Sequence, residues 1–210
     1  MILAVLASNL QREEIAASAF FSSHEVIFSE NSSLWAHHNA DAFIDLGFES
    51  SPEKIKFLAK LLPKPVLVNA VTDTLDRIHP DFIRINGWPG FLKGKCLEAA
   101  GSPENQTKIR QLFGEQMIFV PDQPGLVSAR IVAMIINEAY FTFEAGTASR
   151  QEIDLAMKLG TGYPLGPFEW AHLIGEERVA ALLERLFELN PLYERAEGLK
   201  RMREDRSVND

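Results

Sequence analysis

The stretch MIFVPDQPGLVSAR, Met117 to Arg130, separates two halves of the sequence that have different patterns. Before it, short apolar runs alternate with short helical patterns, which is typical of parallel strands joined by crossover helices. After it the β-branched runs stop and long stretches of helical periodicity follow. Pro124 cannot extend a strand and Gly125 admits a positive φ, so this stretch predicts a turn. We therefore place a domain boundary after Pro121.

The predicted fold class is α/β followed by all-α, with a parallel-sheet domain over residues 1–121 and a helical domain over residues 122–210. The predicted strands are Ile2–Ala7, Glu25–Phe28, Ala42–Leu46, Pro65–Val71, Phe82–Ile85 and Met117–Val120. The predicted helices are Gln11–Phe21, Pro52–Leu62, Glu104–Gly114, Leu126–Ala145, Gln151–Leu159 and Glu176–Leu189. Ser149 and Glu152 have the spacing of a capping box for a helix that begins near Arg150. The glycines and prolines from Gly160 to Pro167 predict a rigid loop, and a charged tail follows from Glu194.

The composition is that of an ordinary globular protein, with 46% hydrophobic and 24% charged residues among 210. Its 21 basic and 29 acidic side chains give a formal net charge of −8, which disfavours binding to nucleic acid or to an anionic membrane surface. The one cysteine, Cys96, cannot form an intramolecular disulfide, and no Cys/His cluster has zinc-site spacing. We therefore expect a cytoplasmic protein with no metal site. The apolar run Ile2–Ala7 is too short and wrongly flanked for a signal peptide or a membrane span.

The predicted helix Leu126–Ala145 is apolar on nearly every side. A helix that is apolar all round is buried all round, and a chain of 210 residues offers little material to enclose it. We therefore expect a second copy of the chain to cover one face, which makes the protein a homodimer. The alternative is a core helix that the chain itself buries completely.

Several motifs of the helical half occur in a fixed order: DQPGLVSAR at 122–130, IINEA at 135–139, GTAS at 146–149 and GTGYPLGPFEW at 160–170. In this order they closely resemble the C-terminal domain of the 3-hydroxyacyl-CoA dehydrogenase family. The segment ADAFIDLGFE at 40–49 is similar to the family's ADLVIEAVFE segment. The resemblance implies a Rossmann-like sheet domain, a helical dimerisation domain, and the NAD-dependent oxidation of L-3-hydroxyacyl-CoA to 3-ketoacyl-CoA.

The cofactor positions implied by the resemblance depart from the family pattern. The three glycines of the family's phosphate-binding turn correspond to Ala7, Asn9 and Arg12, and such glycines let the backbone approach a pyrophosphate closely. Glu30 falls where the family's acidic residue binds the adenosine ribose, although acidic residues are also common at strand ends. Only ten residues separate Glu30 from Asp41, where the family has a longer excursion. The predicted Rossmann-like domain is therefore shortened and its NAD site degenerate.

The catalytic positions depart as well. In the family a histidine is the general base, and a glutamate twelve residues later orients it. These two positions correspond to Asn86 and Glu98, and asparagine cannot take a proton at physiological pH. His79 is the nearest histidine and is interpreted as a solvated turn residue. The family's substrate-polarising asparagine corresponds to Ala129.

The substrate positions implied by the resemblance are Lys54 and Lys56, where the family has basic contacts to the CoA phosphates, and Thr72, which could stand in for a family serine. A solvated helix face is the alternative interpretation of the two lysines. His172 stands in place of a family aspartate, on a predicted short helix after the Gly/Pro loop, and is interpreted as structural.

Three functional hypotheses follow. The favoured one is a 3-hydroxyacyl-CoA dehydrogenase-like protein with degenerate motifs that is an acyl-CoA- or partner-binding homodimer, without hydride transfer. The second is an active oxidoreductase of fatty-acid metabolism that uses NAD through an altered site, or through a nucleotide-binding portion supplied by another chain. The third is a purely structural dimer.

Overall fold

The computed structural model of the chain describes residues 1–37 and 39–204. The last part of the predicted charged tail, 205–210, lies outside the described residues. The chain divides into two compact units, Met1–Val127 and Ser128–Asp210, here called the sheet domain and the helical domain. The predicted boundary after Pro121 lies six residues before this division, which runs between residues 127 and 128.

The sheet domain is built on one seven-stranded sheet with the order β2-β1-β3-β4-β5-β6-β7. The strands are β1 Ile2–Leu6, β2 Glu25–Ser29, β3 Ala42–Asp45, β4 Val66–Val68, β5 Ile83–Ile85, β6 Leu97–Ala100 and β7 Met117–Phe119. The helices are α1 Asn9–Ala16, α2 Pro52–Ala59 and α3 Pro103–Phe113, with short 3-10 segments at Ser32–His37 and Gly114–Gln116. Neighbouring strands are parallel except β5 and β6, which are antiparallel. The predicted Rossmann-like sheet domain is confirmed.

The central strands are short apolar runs because both faces of the sheet are covered. Every residue of β3 and β4 is buried. Alternate residues enter opposite cores, since successive side chains of a strand point to opposite faces. Leu3 and Ile44 belong to one apolar cluster, and Ala4 and Phe43 belong to the other.

Strand β6 is the main element of the sheet domain that the sequence prediction missed. Its sequence Leu-Glu-Ala-Ala contains no β-branched residue, so it lacks the usual strand signal. It forms a strand because it lies between β5 and β7 and hydrogen-bonds to both. The sheet is therefore mixed rather than purely parallel.

The helical domain contains five described helices. They are α4 Ser128–Glu144, α5 Arg150–Thr161, α6 Pro167–Ile174, α7 Glu176–Leu189 and α8 Glu197–Glu204. The predicted capping box is confirmed: the Ser149 hydroxyl accepts the backbone N–H of Glu152, and the Glu152 carboxylate accepts the N–H of Ser149. The predicted helical domain is confirmed, including the short helix around His172, which is α6; α8 was not predicted.

Helix α6 begins at Pro167, the last residue of the predicted rigid loop. Pro167 occupies its first turn, where no backbone donor is needed. The Phe168 N–H donates to Asp154 Oδ1 at 2.8 Å, and the Gly166 N–H donates to Glu169 Oε2 at 2.9 Å. A local glutamate and an aspartate fourteen residues away therefore satisfy backbone donors at the start of this helix.

Helix α4 is only partly enclosed by its own chain. Ala133 and Ile136 are fully buried. Ile131 is 52% exposed, and Phe141 and Phe143 are each 39% exposed. In residues 1–37 and 39–204, no helix has the length and apolar character that crossing a membrane requires.

Candidate functional site

The carboxyl edge of the sheet is the first place to look for a ligand site. In an open α/β sheet, ligands bind outside the carboxyl ends of the strands, where the strand order reverses. Here β1 has β2 on one side and β3 on the other, so the reversal lies at β1. The strands β1, β3 and β4 lead directly into Ala7, Leu46 and Asn69 at this edge, and β5 leads into Asn86.

The turn between β1 and α1 is capped by its own side chains. The Ser8 N–H donates to Gln11 Oε1 at 3.0 Å, and the Gln11 N–H donates to Ser8 Oγ at 3.4 Å. The Gln11 side chain is 3% exposed, and its Nε2 donates to the carbonyl oxygens of Gly87 at 2.8 Å and Leu46 at 3.4 Å. Gln11 therefore connects the start of α1 to the segments that follow β3 and β5.

Asn69 makes a second connection at the same edge. Its Nδ2 donates to the Leu46 carbonyl at 3.1 Å, and its Oδ1 accepts the Gly87 N–H at 2.9 Å. A Cβ placed on Gly87 would lie 2.6 Å from Leu46 Cδ2 and 3.1 Å from Asn69 Cβ. The space between these strand ends is therefore filled even at the scale of one methyl group.

Arg12 bridges the ends of β1 and β2. Its Nε donates to the Ala7 carbonyl at 3.1 Å, and its Nη2 donates to the Ser29 carbonyl at 3.3 Å. The guanidinium carbon lies 5.0 Å from the centre of the Phe28 ring, a cation–π distance. Glu30, the predicted ribose-binding residue, follows Ser29 and is exposed.

Of the predicted catalytic pair, Asn86 directly follows β5 and Glu98 lies on the neighbouring strand β6. The backbone N–H of Asn86 donates to the carbonyl of Glu98 at 3.2 Å, so the structure brings these residues together. Asn86 is 1% exposed and its Oδ1 accepts the N–H of Trp88 at 3.3 Å. Glu98 Oε1 accepts the N–H of Val127 at 2.8 Å. Asn86 can hold a hydrogen bond here but cannot take a proton.

His79 does not supply the missing base at this place. Its ring stacks on Phe82 with centroids 4.7 Å apart, and its Nδ1 accepts the N–H of Asp81 at 3.2 Å. The histidine therefore belongs to the turn before β5. His172 is exposed on α6.

The two candidate CoA lysines have different surroundings. Lys54 Nζ lies 2.7 Å from Asp45 Oδ2 and donates to Ser32 Oγ at 3.1 Å. The Asp45 side chain is fully buried at the end of β3, and burial raises its pKa although the Lys54 ammonium opposes the shift. Lys56, two residues further along α2, is exposed. The Lys54 ammonium is therefore engaged in an ion pair with Asp45. The sequence did not predict this pair.

Thr72, the third candidate substrate residue, lies in a loop that a buried arginine holds. Arg84 on β5 is fully buried; its Nε donates to the Ala70 carbonyl at 2.8 Å and its Nη2 to the Val71 carbonyl at 3.1 Å. It also forms an ion pair with Asp122. Burial lowers the pKa of Arg84, and Asp122 opposes that shift. The signal that could have revealed this clamp is one arginine within the apolar run Phe82-Ile-Arg-Ile85.

The helical domain carries an apolar groove between α4 and the chain that leads into α6. Its volume is about 230 Å³. The lining residues are Ser128, Ile131, Val132, Ile135, Tyr163, Pro164, Leu165, Pro167 and Trp170. Among the described residues of the whole chain, no cluster of His, Cys, Asp or Glu could hold a metal ion.

A mixed, mainly parallel sheet followed by a helical domain defines a Rossmann-like protein with an appended all-α domain. The 3-hydroxyacyl-CoA dehydrogenase C-terminal domain model matches residues 125–208. 3-Hydroxyadipyl-CoA dehydrogenase from Escherichia coli (strain K12) is 42% identical over 142 residues, which are 66% of this chain and 26% of that protein. Human mitochondrial hydroxyacyl-coenzyme A dehydrogenase is 31% identical over 102 residues, which are 47% of this chain and 32% of that protein.

The helical domain matches the C-terminal domain of the 3-hydroxyacyl-CoA dehydrogenase family, and the relatives named as dehydrogenases support the same family for the chain. The matched segments span only about a quarter to a third of these two relatives. The crystal structure of (S)-3-hydroxybutyryl-CoA dehydrogenase from Ralstonia eutropha has the same fold, with a TM-score of 0.68 and 20% identity. That likeness covers 96% of this chain and 92% of the other.

Proposed function

We propose that the protein is a 3-hydroxyacyl-CoA dehydrogenase-like homodimer that binds an acyl-CoA or a partner and does not transfer a hydride. The observation that carries this proposal is Asn86. It lies beside Glu98 on the neighbouring strand, where the resemblance requires a histidine. Oxidation of an alcohol needs a base that takes the hydroxyl proton, and an amide cannot do so.

The surroundings of Asn86 support the same proposal. Its Oδ1 already accepts the Trp88 N–H, and its side chain is 1% exposed. Ala129, at the position of the family's polarising asparagine, has no polar group and is fully buried. Two of the groups that would act on a substrate oxygen are therefore replaced.

The acyl-CoA part of the proposal rests on fewer groups than the sequence suggested. Lys54 is held by Asp45, so a CoA phosphate would have to compete with a buried carboxylate for it. Lys56 is exposed on α2 and is the better candidate for a phosphate contact. We expect titration calorimetry with acetoacetyl-CoA to detect binding that Lys56→Gln weakens. Lys60→Gln, at another exposed lysine beyond the same helix, is the matched control.

The homodimer is supported by the exposed apolar side chains of α4. Ile131 is 52% exposed, and it also lines the groove of the helical domain. A second copy that covers Ile131 and its neighbours in the groove would remove apolar side chains from water. We expect a dimeric mass in light scattering at micromolar concentration. Ile131→Glu should give a monomer, and Leu192→Glu, which changes a side chain 83% exposed, should leave the mass unchanged.

The alternative function is the active oxidoreductase. It is favoured by the 42% identity to a dehydrogenase over 142 residues and by the retained adjacency of Asn86 and Glu98. Under this alternative another group, or another chain, supplies the base and the phosphate site.

The deciding experiment is NADH oxidation with acetoacetyl-CoA, followed at the nicotinamide absorbance and repeated with NADPH. A full-length dehydrogenase of the family serves as the positive control. We expect no turnover above background. Robust turnover by the purified chain would contradict the proposal and establish the alternative.

Asn86→His sharpens that experiment. A histidine at this position restores a base beside Glu98 but leaves Ala129 and the altered β1–α1 turn unchanged. We therefore expect no measurable dehydrogenase activity in this single variant. A clear gain of turnover would show that the rest of the site is still intact.

A further inference from the structure

We propose that Gln11, Arg12 and Asn69 replace a bound dinucleotide. Together these side chains, here called the edge lock, satisfy the backbone groups at the carboxyl edge of the sheet. The sheet domain would then take no nucleotide and need none for its stability. This inference rests on the contacts at that edge and is independent of the missing base at Asn86.

The start of α1 shows the first replacement. The free backbone N–H groups at a helix N-terminus attract phosphate. Here Ser8 Oγ accepts the N–H of Gln11, and Gln11 Oε1 accepts both the N–H and the hydroxyl of Ser8. Asn9 lies within the same turn and is exposed, so a pyrophosphate at the turn would also meet an amide side chain.

The inner half of the edge shows the second replacement. The Leu46 carbonyl accepts from both Gln11 Nε2 and Asn69 Nδ2. Both backbone polar groups of Gly87 are taken, its N–H by Asn69 and its carbonyl by Gln11. A ligand that entered between these strand ends would have to break four hydrogen bonds that are already made.

The outer half shows the third replacement. The Arg12 guanidinium donates to the carbonyl of Ala7, which follows β1, and to the carbonyl of Ser29, the last residue of β2. It is also held against the Phe28 ring. The resemblance places an adenosine ribose beside Glu30. The Arg12 guanidinium therefore already binds the backbone of Ser29, the residue next to that position.

Loop 87–94 is fastened to α1 beyond the edge lock. Glu14 Oε1 accepts the Gly90 N–H at 2.7 Å, and Ser18 Oγ donates to the Gly94 carbonyl at 3.1 Å. Gln11 and Glu14 lie three residues apart on one face of α1, and Ser18 follows the end of that helix; all three are buried. The buried face of α1 is therefore polar because it receives the backbone of this loop.

The test measures the melting temperature of the purified full-length chain with and without NADH or ADP-ribose. A nucleotide at about 100 times its Kd raises the melting temperature of a protein of this size by roughly 5–10 °C. We expect a shift below about 1 °C at millimolar nucleotide. A full-length dehydrogenase of the family, measured alongside, should show the full rise.

Three variants test whether the edge lock holds the sheet domain. Gln11→Ala and Asn69→Ala should each lower the melting temperature by roughly 3–8 °C, because each leaves buried backbone groups without partners. Asn9→Ala, in the same turn and exposed, is the control and should shift it by less than about 2 °C. If Gln11→Ala does not fold, Asn69→Ala and the nucleotide titration still decide.

Two results would overturn the edge lock: a nucleotide-induced rise of more than about 3 °C in the unmodified chain, or Gln11→Ala and Asn69→Ala shifts as small as that of Asn9→Ala. Nucleotide binding without turnover would refute this inference and leave the proposed function standing. Turnover with NADH would refute both.

Discussion

The helical domain and the sheet domain resemble the 3-hydroxyacyl-CoA dehydrogenase family in different ways, the first in its sequence motifs and the second in its fold. Within residues 125–208 the sequence motifs themselves persist, and two of them shape the backbone. Gly166 must lack a side chain because a Cβ there would lie 2.4 Å from Asp154, and Ser149 caps α5. In the sheet domain the strands persist, but the positions of the glycines that would serve a ligand carry Ala7, Asn9 and Arg12. Under the function proposed above, the helical domain keeps residues that serve packing, whereas the sheet domain lacks residues that would serve a cofactor.

The domains also differ in how they use charge. The sheet domain has ion pairs with a fully buried member, Asp45 with Lys54 and Arg84 with Asp122. The described ion pairs of the helical domain, such as Lys158 with Glu169, have both side chains partly in solvent. We therefore expect polar substitutions to cost more stability in the sheet domain, and changes of shape or helix caps to dominate in the helical domain.

The largest effect is expected for Lys54→Met. It leaves the fully buried Asp45 carboxylate without its counter-charge, and breaking such a pair costs about 3–5 kcal/mol of unfolding free energy. The measurement is urea unfolding at neutral pH. Lys56→Met, an exposed neighbour on the same helix, is the control and should change stability by less than about 0.5 kcal/mol. Equal effects of the two variants would contradict the buried ion pair.

The same variant has a predicted pH dependence. Burial raises the folded-state pKa of Asp45 above its ordinary value of 3.8. A carboxyl whose pKa is raised on folding stabilises the folded state at pH values below its unfolded-state pKa. That contribution is lost as the pH rises through its folded-state pKa. The cost of Lys54→Met should therefore shrink as pH falls through the folded pKa of Asp45, because the carboxyl becomes neutral. A cost that does not fall on acidification would argue against this cause.

An intermediate effect is expected for Gly166→Ala in the helical domain. The new methyl group would overlap Asp154, whose Oδ1 accepts the Phe168 N–H at the start of α6. Overpacking of this kind costs about 1–3 kcal/mol. Gly160→Ala is the matched control, because nothing lies within 4 Å of its Cβ position. Within α5 it should stabilise the protein by up to about 1 kcal/mol. In chemical unfolding, Gly166→Ala should therefore lower the free energy of unfolding and Gly160→Ala should raise it.

The smallest effect is expected for Ser149→Ala. Loss of the side-chain cap of α5 should cost about 1 kcal/mol. Gln151→Ala, exposed in the first turn of the same helix, should have an effect of less than about 0.5 kcal/mol. If thermal unfolding shows the same loss for both, the cap is not the source of the stability.

The sequence predicted some parts of this protein well because their signals are local. Helix α7 begins and ends where its periodicity indicates, and the Ser149 cap rests on residues three apart. Asn86 and Glu98 could be paired because the resemblance implies a fixed spacing of twelve residues between these two positions. The missed strand β6 has no propensity signal of its own and depends on neighbours on both sides.

The contacts of Gln11 could not be predicted, because they join residues 35 and 76 positions apart. From the sequence, the amide side chain of a helical glutamine can either face solvent or bind a buried partner. Only the packing of α1 against the sheet shows which of the two applies to Gln11. The partnership of Lys54 with Asp45 is hidden for the same reason. The sequence shows both residues, but it does not show that they are buried side by side.

The sequence by itself determined the two-domain order, the family and the absence of a histidine at position 86, because these depend on residue identity and local periodicity. Only the tertiary structure decided how the polar residues are used. It directs Gln11, Arg12 and Asn69 to the carboxyl edge of the sheet and Lys54 to Asp45. The physical reason is that a buried polar group must find a partner, and the identity of that partner depends on the folding of the whole chain.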